Sequence, residues 1–314
     1  MKVVFMGTPD FAVPTLKRLY ETGHEVAAVF TQPDKPKGRG YKLTPPPVKV
    51  IASEHDTPVY QPMSLKKEPE MWDILRDIAP DVIVVAAYGK ILPKEVLDIP
   101  KYHCVNVHGS LLPKYRGAAP IQWSVLNGDE NTGITTMLMA EGLDTGDILL
   151  QRSTPIGENE TAAELFDRLA QMGAELLTET LDELEKGAIT PVKQNEELAS
   201  YAQMLSKDMC VLDFNKPVRE VHKKICGLSD WPCAVTYING KRLKAYHSSI
   251  ESMKCNAPIG SVVDAEKFTV QCADGVVRFT EVQAEGSRRM NVQDYLRGNP
   301  IKSGIILGME KSDE

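Results

Sequence analysis

Short, continuously apolar and β-branched runs recur through the first half of the chain: KVVFMG, EVAAVFT, VIVVAAYG and CVNVH. Runs of this length without polar alternation are what strands buried on both faces of a parallel sheet require. Between them, in FAVPTLKRLYETG and EMWDILRDIAP, the apolar positions fall at helical spacing. This strand–helix–strand rhythm predicts an α/β, doubly wound (Rossmann-like), mainly parallel sheet over residues 1–189. A long amphipathic helix closes that part. Thr161-x-x-Glu164 forms a capping box at its start, and Gly187 supplies a stop at its end.

The patterning changes further on. Residues 190–205 are weakly patterned and are expected to form a linker. From residue 206 one helical stretch, VREVHKKICGL, precedes two pairs of strand-like runs, VTYINGKRLKAY around Asn239-Gly240 and FTVQCADGVVRFTEV around Asp274-Gly275. Asn-Gly and Asp-Gly between such runs are strong hairpin signals. The expectation for residues 206–314 is therefore a smaller, OB-like antiparallel β-barrel, an architecture that binds nucleic acid in other proteins.

Composition narrows the class. With 314 residues, 42% apolar and 25% charged, the chain has material for about two domains with ample cores. No apolar run reaches the ~20 residues of a membrane-spanning helix, and the first residues lead into a strand with no signal-peptide anatomy. The six cysteines (Cys104, Cys210, Cys226, Cys233, Cys255, Cys272) show no C-x-x-C pair. Reduced thiols in a cytoplasmic protein are expected, and no metal site. A net charge of −7 argues against a general nucleic-acid binder, but the charge is uneven. Residues 206–314 hold 16 Lys/Arg against 14 Asp/Glu, residues 1–205 hold 20 against 29, and KPKGRGYKLTPPPVK (35–49) has five bases and no acid. A polyanion would be met at that loop and at the tail domain.

Open α/β sheets bind ligands beyond the carboxyl ends of their strands, at the switch point. CVNVH brings Asn106 and His108 to such an end, on one face of the strand. The loop after it, GSLLPKYRGAAPI, is rich in Gly and Pro. EGLDTGDILL sets Asp144 and Asp147 in a Gly-flanked turn able to reach back toward the imidazole. An amide can donate to a developing oxyanion without titrating; a histidine can donate and also pass a proton; an aspartate can orient it. Such a set suits addition of an external nucleophile to a carbonyl-like carbon. Singly, each residue also fits a blander role: Asn106-x-His108 as a turn cap with a surface histidine, Asp144 as a turn former, the 35–49 loop as solvated charge. GTPDF after the first strand holds one glycine where a dinucleotide site has three, so nicotinamide or flavin is not supported.

GTPDFA, QPDKPKGRG, VVAAYGKILP, NVHGSLLPKYRGAAPI and GLDTGDIL, in this order, closely resemble the methionyl-tRNA formyltransferase branch of the 10-formyltetrahydrofolate-dependent formyltransferases. The resemblance covers essentially the whole chain. It implies formyl transfer from 10-formyltetrahydrofolate, as co-substrate, to the α-amino group of initiator methionyl-tRNA, without a metal or a membrane partner, in the cytoplasm and as a monomer. Asn106, His108 and Asp144 match the family's catalytic positions, and Ser110, Leu111, Leu112 and Pro113 its folate-binding stretch. The 88–93 turn resembles its pterin-pocket wall. Arg39 matches the arginine of an inserted loop that inspects the tRNA acceptor end. Lys241, Arg242, Arg288 and Arg289 are further candidates for RNA backbone contact. Two alternatives stay open: a folate-dependent transferase acting on a small amine, such as glycinamide ribonucleotide or a nucleotide sugar, and an RNA-binding protein whose sheet is catalytically dead.

Overall fold

The computed structural model describes residues 1–37, 41–253 and 255–308. The chain divides into two compact units, one made of Met1–Gly117, Gly133–Thr154 and Phe166–Tyr201, the other of Ala118–Thr132, Pro155–Leu165 and Ala202–Glu314. Among the described residues no helix is long and apolar enough to cross a membrane.

The first unit is built on a seven-stranded sheet. Its order is Ile148–Pro155, Asn131–Leu138, Cys104–His108, Val82–Ala86, Lys2–Gly7, Glu25–Phe30, Val59–Tyr60. The last five run parallel, and Asn131–Leu138 joins antiparallel against Cys104–His108. The sheet is thus mixed, with its change of direction beside the strand that carries Asn106 and His108. Helices cover both faces. Val4, Met6, Ala28, Phe30, Ile83, Val85 and Cys104 form one buried face with Leu75 and Val96 from the helices Glu70–Ile78 and Lys94–Leu97. On the other face the long helix Ala162–Glu185 sets Gly173 against Val107, where a Cβ would come within 2.9 Å of the valine methyl. That continuous burial on two sides is why these strands read as unbroken apolar runs.

The long helix begins as its pattern predicts. Glu164 accepts from the Thr161 N–H and hydroxyl at 2.8 Å, and the Thr161 hydroxyl accepts from the Glu164 N–H. Burial pushes the Glu164 carboxyl up, but these hydrogen bonds and His247 outweigh it, so its pKa is lowered. The basic stretch after Asp34 differs from a plain loop: Lys35–Lys37 pairs antiparallel with Lys42–Thr44, and Pro47–Glu54 is helical.

The second unit holds an antiparallel sheet in the order Ala234–Ile238, Lys241–Glu251, Val276–Ala284, Thr269–Gln271, Val262–Asp264, with Met290–Asn291 paired to Val276–Ala284. Asn239 (φ 52°) and Gly240 (φ 74°) form the predicted tight turn, both in the left-handed region that Asn and Gly tolerate. The ladder itself is open. Residues 304–308 run along both of its outer strands: Gly308 and Tyr237 exchange backbone hydrogen bonds at 3.1 Å, and Val262 donates to the Ile305 carbonyl at 2.8 Å. The helix Val218–Leu228 packs over the sheet through Val221, Ile225 and Leu228.

Candidate active site

Strand alternation explains why Asn106 and His108 act together. Their neighbours Val105 and Val107 are buried in the sheet packing, so the two polar side chains share the opposite face. In register, Asn106 lies beside Val85 on the parallel side and Met137 on the antiparallel side, and His108 beside Thr135. The Asn106 amide is half-buried and, among the described residues, makes no side-chain hydrogen bond within the protein. It is available to a ligand.

His108 is only 5% exposed, and both ring nitrogens are accounted for. Nε2 lies 2.9 Å from the Tyr115 carbonyl. A carbonyl can only accept, so Nε2 carries the proton in the neutral ring. Nδ1 then faces the Asp144 carboxylate, with Oδ2 3.7 Å away. That is ion-pair range but beyond a direct hydrogen bond. A second proton on the ring would sit on the nitrogen facing the acid.

Asp144 is held from two sides. Its Oδ2 accepts from the Gly117 N–H at 2.8 Å. Its backbone is left-handed (φ 51°), a conformation that costs a non-glycine residue roughly 1 kcal/mol. The side-chain amide of Gln194 donates to the carbonyls of Asp144 (2.7 Å) and Gly146 (2.8 Å). Gly146 is required for a different reason: a Cβ there would lie 1.7 Å from the Leu138 carbonyl oxygen, so only glycine lets the turn lie against its neighbouring strand. Gln194 is gripped in turn by Arg116, whose Nε and Nη2 donate to Oε1 at 3.0 and 2.8 Å. Arg116 is fully buried and forks onto Glu196 with two 2.8 Å bonds. Glu196 raises the arginine's pKa, and the arginine lowers that of the Glu196 carboxyl. Gln194 and Glu196 lie in the stretch expected to be a linker, where no local pattern marks them. The structure fixes that stretch instead: Ser200 accepts from the Arg116 N–H at 2.8 Å, and Val192 pairs with Ile148.

The expected folate-binding stretch is internally braced. The Ser110 hydroxyl donates to the Lys114 carbonyl at 2.6 Å, and the Ser110 carbonyl accepts from the Thr135 hydroxyl. Leu112 donates its N–H to Thr135 and accepts from Gln151. Ser110 and Leu112 are buried, whereas Leu111 and Pro113 keep partial exposure. A cleft of about 650 Å³ opens beside the turn after Val82–Ala86, walled by Gly89, Lys90, Ile91, Leu92 and Pro93 and by Leu65 and Glu141. That volume is ordinary for a small-molecule site. Behind the turn, Gln32 and Thr8 both donate to the Tyr88 carbonyl, at 3.0 and 3.1 Å. At the base of the basic hairpin, Asp34 accepts from Gln61 and Lys49, whose hydrogen bonds hold its carboxyl below the usual range.

Arg39, the expected tRNA contact, lies outside the described residues. Of the tail candidates, Lys241, Arg242 and Arg288 are exposed. Arg289 is committed within its unit, to Glu281 at 2.6 Å and to Asp230, and it stacks over Tyr246.

Residues 1–181 match the formyl transferase family, and residues 204–300 match the formyl transferase C-terminal domain. The methionyl-tRNA formyltransferase of Caldanaerobacter subterraneus subsp. tengcongensis is 50% identical over 308 residues, covering 98% of this chain and all of the relative. That of Geobacter sulfurreducens is 47% identical over 314 residues, covering 100% and 99%. Among solved structures, an N-formyltransferase from Helicobacter canadensis, in complex with folinic acid and dTDP-3-aminofucose, is similar with TM-score 0.67 at 20% identity, over 92% of this chain and 100% of the other. HypX from Aquifex aeolicus, in complex with tetrahydrofolic acid, is similar with TM-score 0.65 at 18% identity, over 94% and 47%. At those identities the two structures speak for the fold alone.

Proposed function

The chain belongs to the methionyl-tRNA formyltransferases of the formyl transferase family, and on that footing we propose that it transfers the formyl group of 10-formyltetrahydrofolate to the α-amino group of initiator methionyl-tRNA. The observation that carries the catalytic part is the 3.7 Å approach of Asp144 to His108, two positions along the strand from the Asn106 amide. The chemistry asked of the residues fits them: an amide with spare donors and a histidine–aspartate pair that can move a proton, while the same unit holds a cleft of sufficient volume beside the 88–93 turn.

A free α-amino group has a pKa near 8, and the ester of aminoacyl-tRNA lowers it further. The acceptor is therefore largely neutral at working pH, and attack needs no strong base. When bound, the folate supplies an activated one-carbon unit on a nitrogen leaving group. The Asn106 amide donates to the formyl oxygen as it gains charge, and so does the Nδ1–H of His108 when the ring carries its second proton. One such donor is worth ~10²–10³ in rate. Asp144 keeps the Nδ1 proton in place, and the pair then carries a proton from the new ammonium toward the departing nitrogen, through water. General acid–base help of this kind is worth ~10²–10⁴. The Tyr115 carbonyl fixes the opposite edge of the ring.

Leu111 and Pro113 offer the folate exposed surface, and Ser110 and Leu112 hold the loop in shape for it. The turn at residues 88–93 walls the pterin. Arg39 meets the acceptor end of the tRNA, and the second sheet, read as an OB-like fold, contacts the RNA backbone through Lys241, Arg242 and Arg288. The reaction belongs in the cytoplasm.

The test compares formylation of charged initiator methionyl-tRNA with that of a nucleotide-sugar amine, using the same donor. Transfer to the tRNA with negligible transfer to the sugar supports the assignment; the reverse preference overturns it. In the same assay Arg39→Ala weakens tRNA use at least ~10-fold more than binding of a folate analogue. Equal loss of both removes the hairpin from tRNA recognition.

A further inference from the structure

We propose that Gln194 is the positioning residue for the Asp144 carboxylate, clamped for that task by the buried guanidinium of Arg116. The inference rests on the catalytic reading of Asp144 given above. Gln194 lies between the two segments that match the family, 1–181 and 204–300, in the stretch whose composition reads as a linker. Its side chain is nevertheless 9% exposed and fully used. The guanidinium can only donate and the two carbonyls can only accept, so the amide has one orientation: Oε1 toward Arg116, Nε2 toward Asp144 and Gly146. Two donated and two accepted bonds saturate it.

The connections form a closed circuit. Arg116 holds Gln194; Gln194 holds the backbone of Asp144 in its left-handed conformation; the Asp144 carboxylate accepts from the N–H of Gly117; and Gly117 is bonded covalently to Arg116. Tyr115, the residue before Arg116, holds His108 through its carbonyl. Three consecutive residues thus serve the imidazole, the clamp and the carboxylate. Relaxing Gln194 frees the Asp144 backbone and lets its carboxylate move away from Nδ1 while leaving its charge intact. Displacement of a positioned group costs rate more than binding.

Single-turnover formyl transfer to charged initiator methionyl-tRNA is measured for the parent, Gln194→Met, Asp144→Asn and the double variant. Binding of a stable folate analogue, with its stoichiometry, establishes that each variant is folded. Gln194→Met slows transfer roughly 10- to 100-fold in the parent background. On the Asp144→Asn background the same change costs less than about 3-fold, because the group it positions has already been removed. A merely structural role gives the same factor in both backgrounds, and that result overturns the proposal. So does a Gln194→Met rate equal to the parent's while Asp144→Asn is slow. An Asp144→Asn variant as fast as the parent overturns the catalytic reading instead. Gln194→Glu, which keeps the Arg116 contact and replaces donation to the two carbonyls with repulsion between oxygens, takes the place of Gln194→Met if that variant does not fold, with the same outcomes.

Discussion

Two buried histidines, one in each unit, have closely similar first contacts and differ in what they can do. His108 sets Nε2 against the Tyr115 carbonyl at 2.9 Å, and His222 sets Nε2 against the Glu158 carbonyl at 3.0 Å. They part at the other nitrogen. Nδ1 of His108 faces a carboxylate that is itself steered by Gly117, on the same strand face as an amide that makes no side-chain hydrogen bond among the described residues. Nδ1 of His222 meets the Ser248 hydroxyl at 2.8 Å, with the Cys226 thiol alongside. Those neighbours are neutral: burial pushes the Cys226 thiol up to about 12. Burial also lowers the pKa of His222, outweighing the Glu158 carbonyl. A buried imidazole alone is therefore no sign of catalysis. The charge and freedom of the group facing its second nitrogen separate a reactive site from a satisfied core.

The largest expected effect tests that contrast directly. His108→Ala lowers kcat/KM for formyl transfer at least ~10²-fold, whereas His222→Ala leaves transfer per folded molecule within about 3-fold and lowers Tm. Comparable losses of transfer in the two variants break the comparison. Next is the turn that carries Asp144. Gly146→Ala forces a methyl onto the Leu138 carbonyl and costs roughly 1–3 kcal/mol of stability, measured by denaturant unfolding, together with activity. A neutral substitution there contradicts the tight approach. Acid then sharpens the contrast at His222. Its folded pKa lies below the unfolded value near 6.5, so the unfolded chain binds the extra proton. The stability of the neutral ring is complete above about pH 6.5 and is lost as pH falls toward the lowered pKa. Thermal melts across that range show the parent losing Tm faster than His222→Gln; parallel curves contradict the assignment. The smallest effect is at the capping box, where Thr161→Ala costs about 1 kcal/mol and leaves kcat unchanged.

The residues legible from sequence were those whose placement follows from local rules. Alternation along CVNVH put Asn106 and His108 on one face, the glycines marked the Asp144 turn, and the S/T-x-x-E pattern marked the start of the long helix. Nothing local gives away Gln194. It meets Asp144 across 50 positions in the chain, and its surroundings carry no periodicity. The antiparallel strand Asn131–Leu138 is hidden for a related reason: NTGITTML mixes threonines with few apolar residues, yet Thr135 and Thr136 are fully buried because their hydroxyls find partners in the Ser110 carbonyl and in Thr180 of the long helix. The basic stretch gives no strand signal because its two strands are three residues each, too short to show alternation.

The most direct measurement is the single-turnover rate of formyl transfer to charged initiator methionyl-tRNA by Asp144→Asn, which keeps the side chain's shape and removes its charge. With folate-analogue binding retained, the rate falls at least ~10²-fold. A rate within about 3-fold of the parent contradicts the account, because the carboxylate that distinguishes His108 from His222 would then have no part in the chemistry.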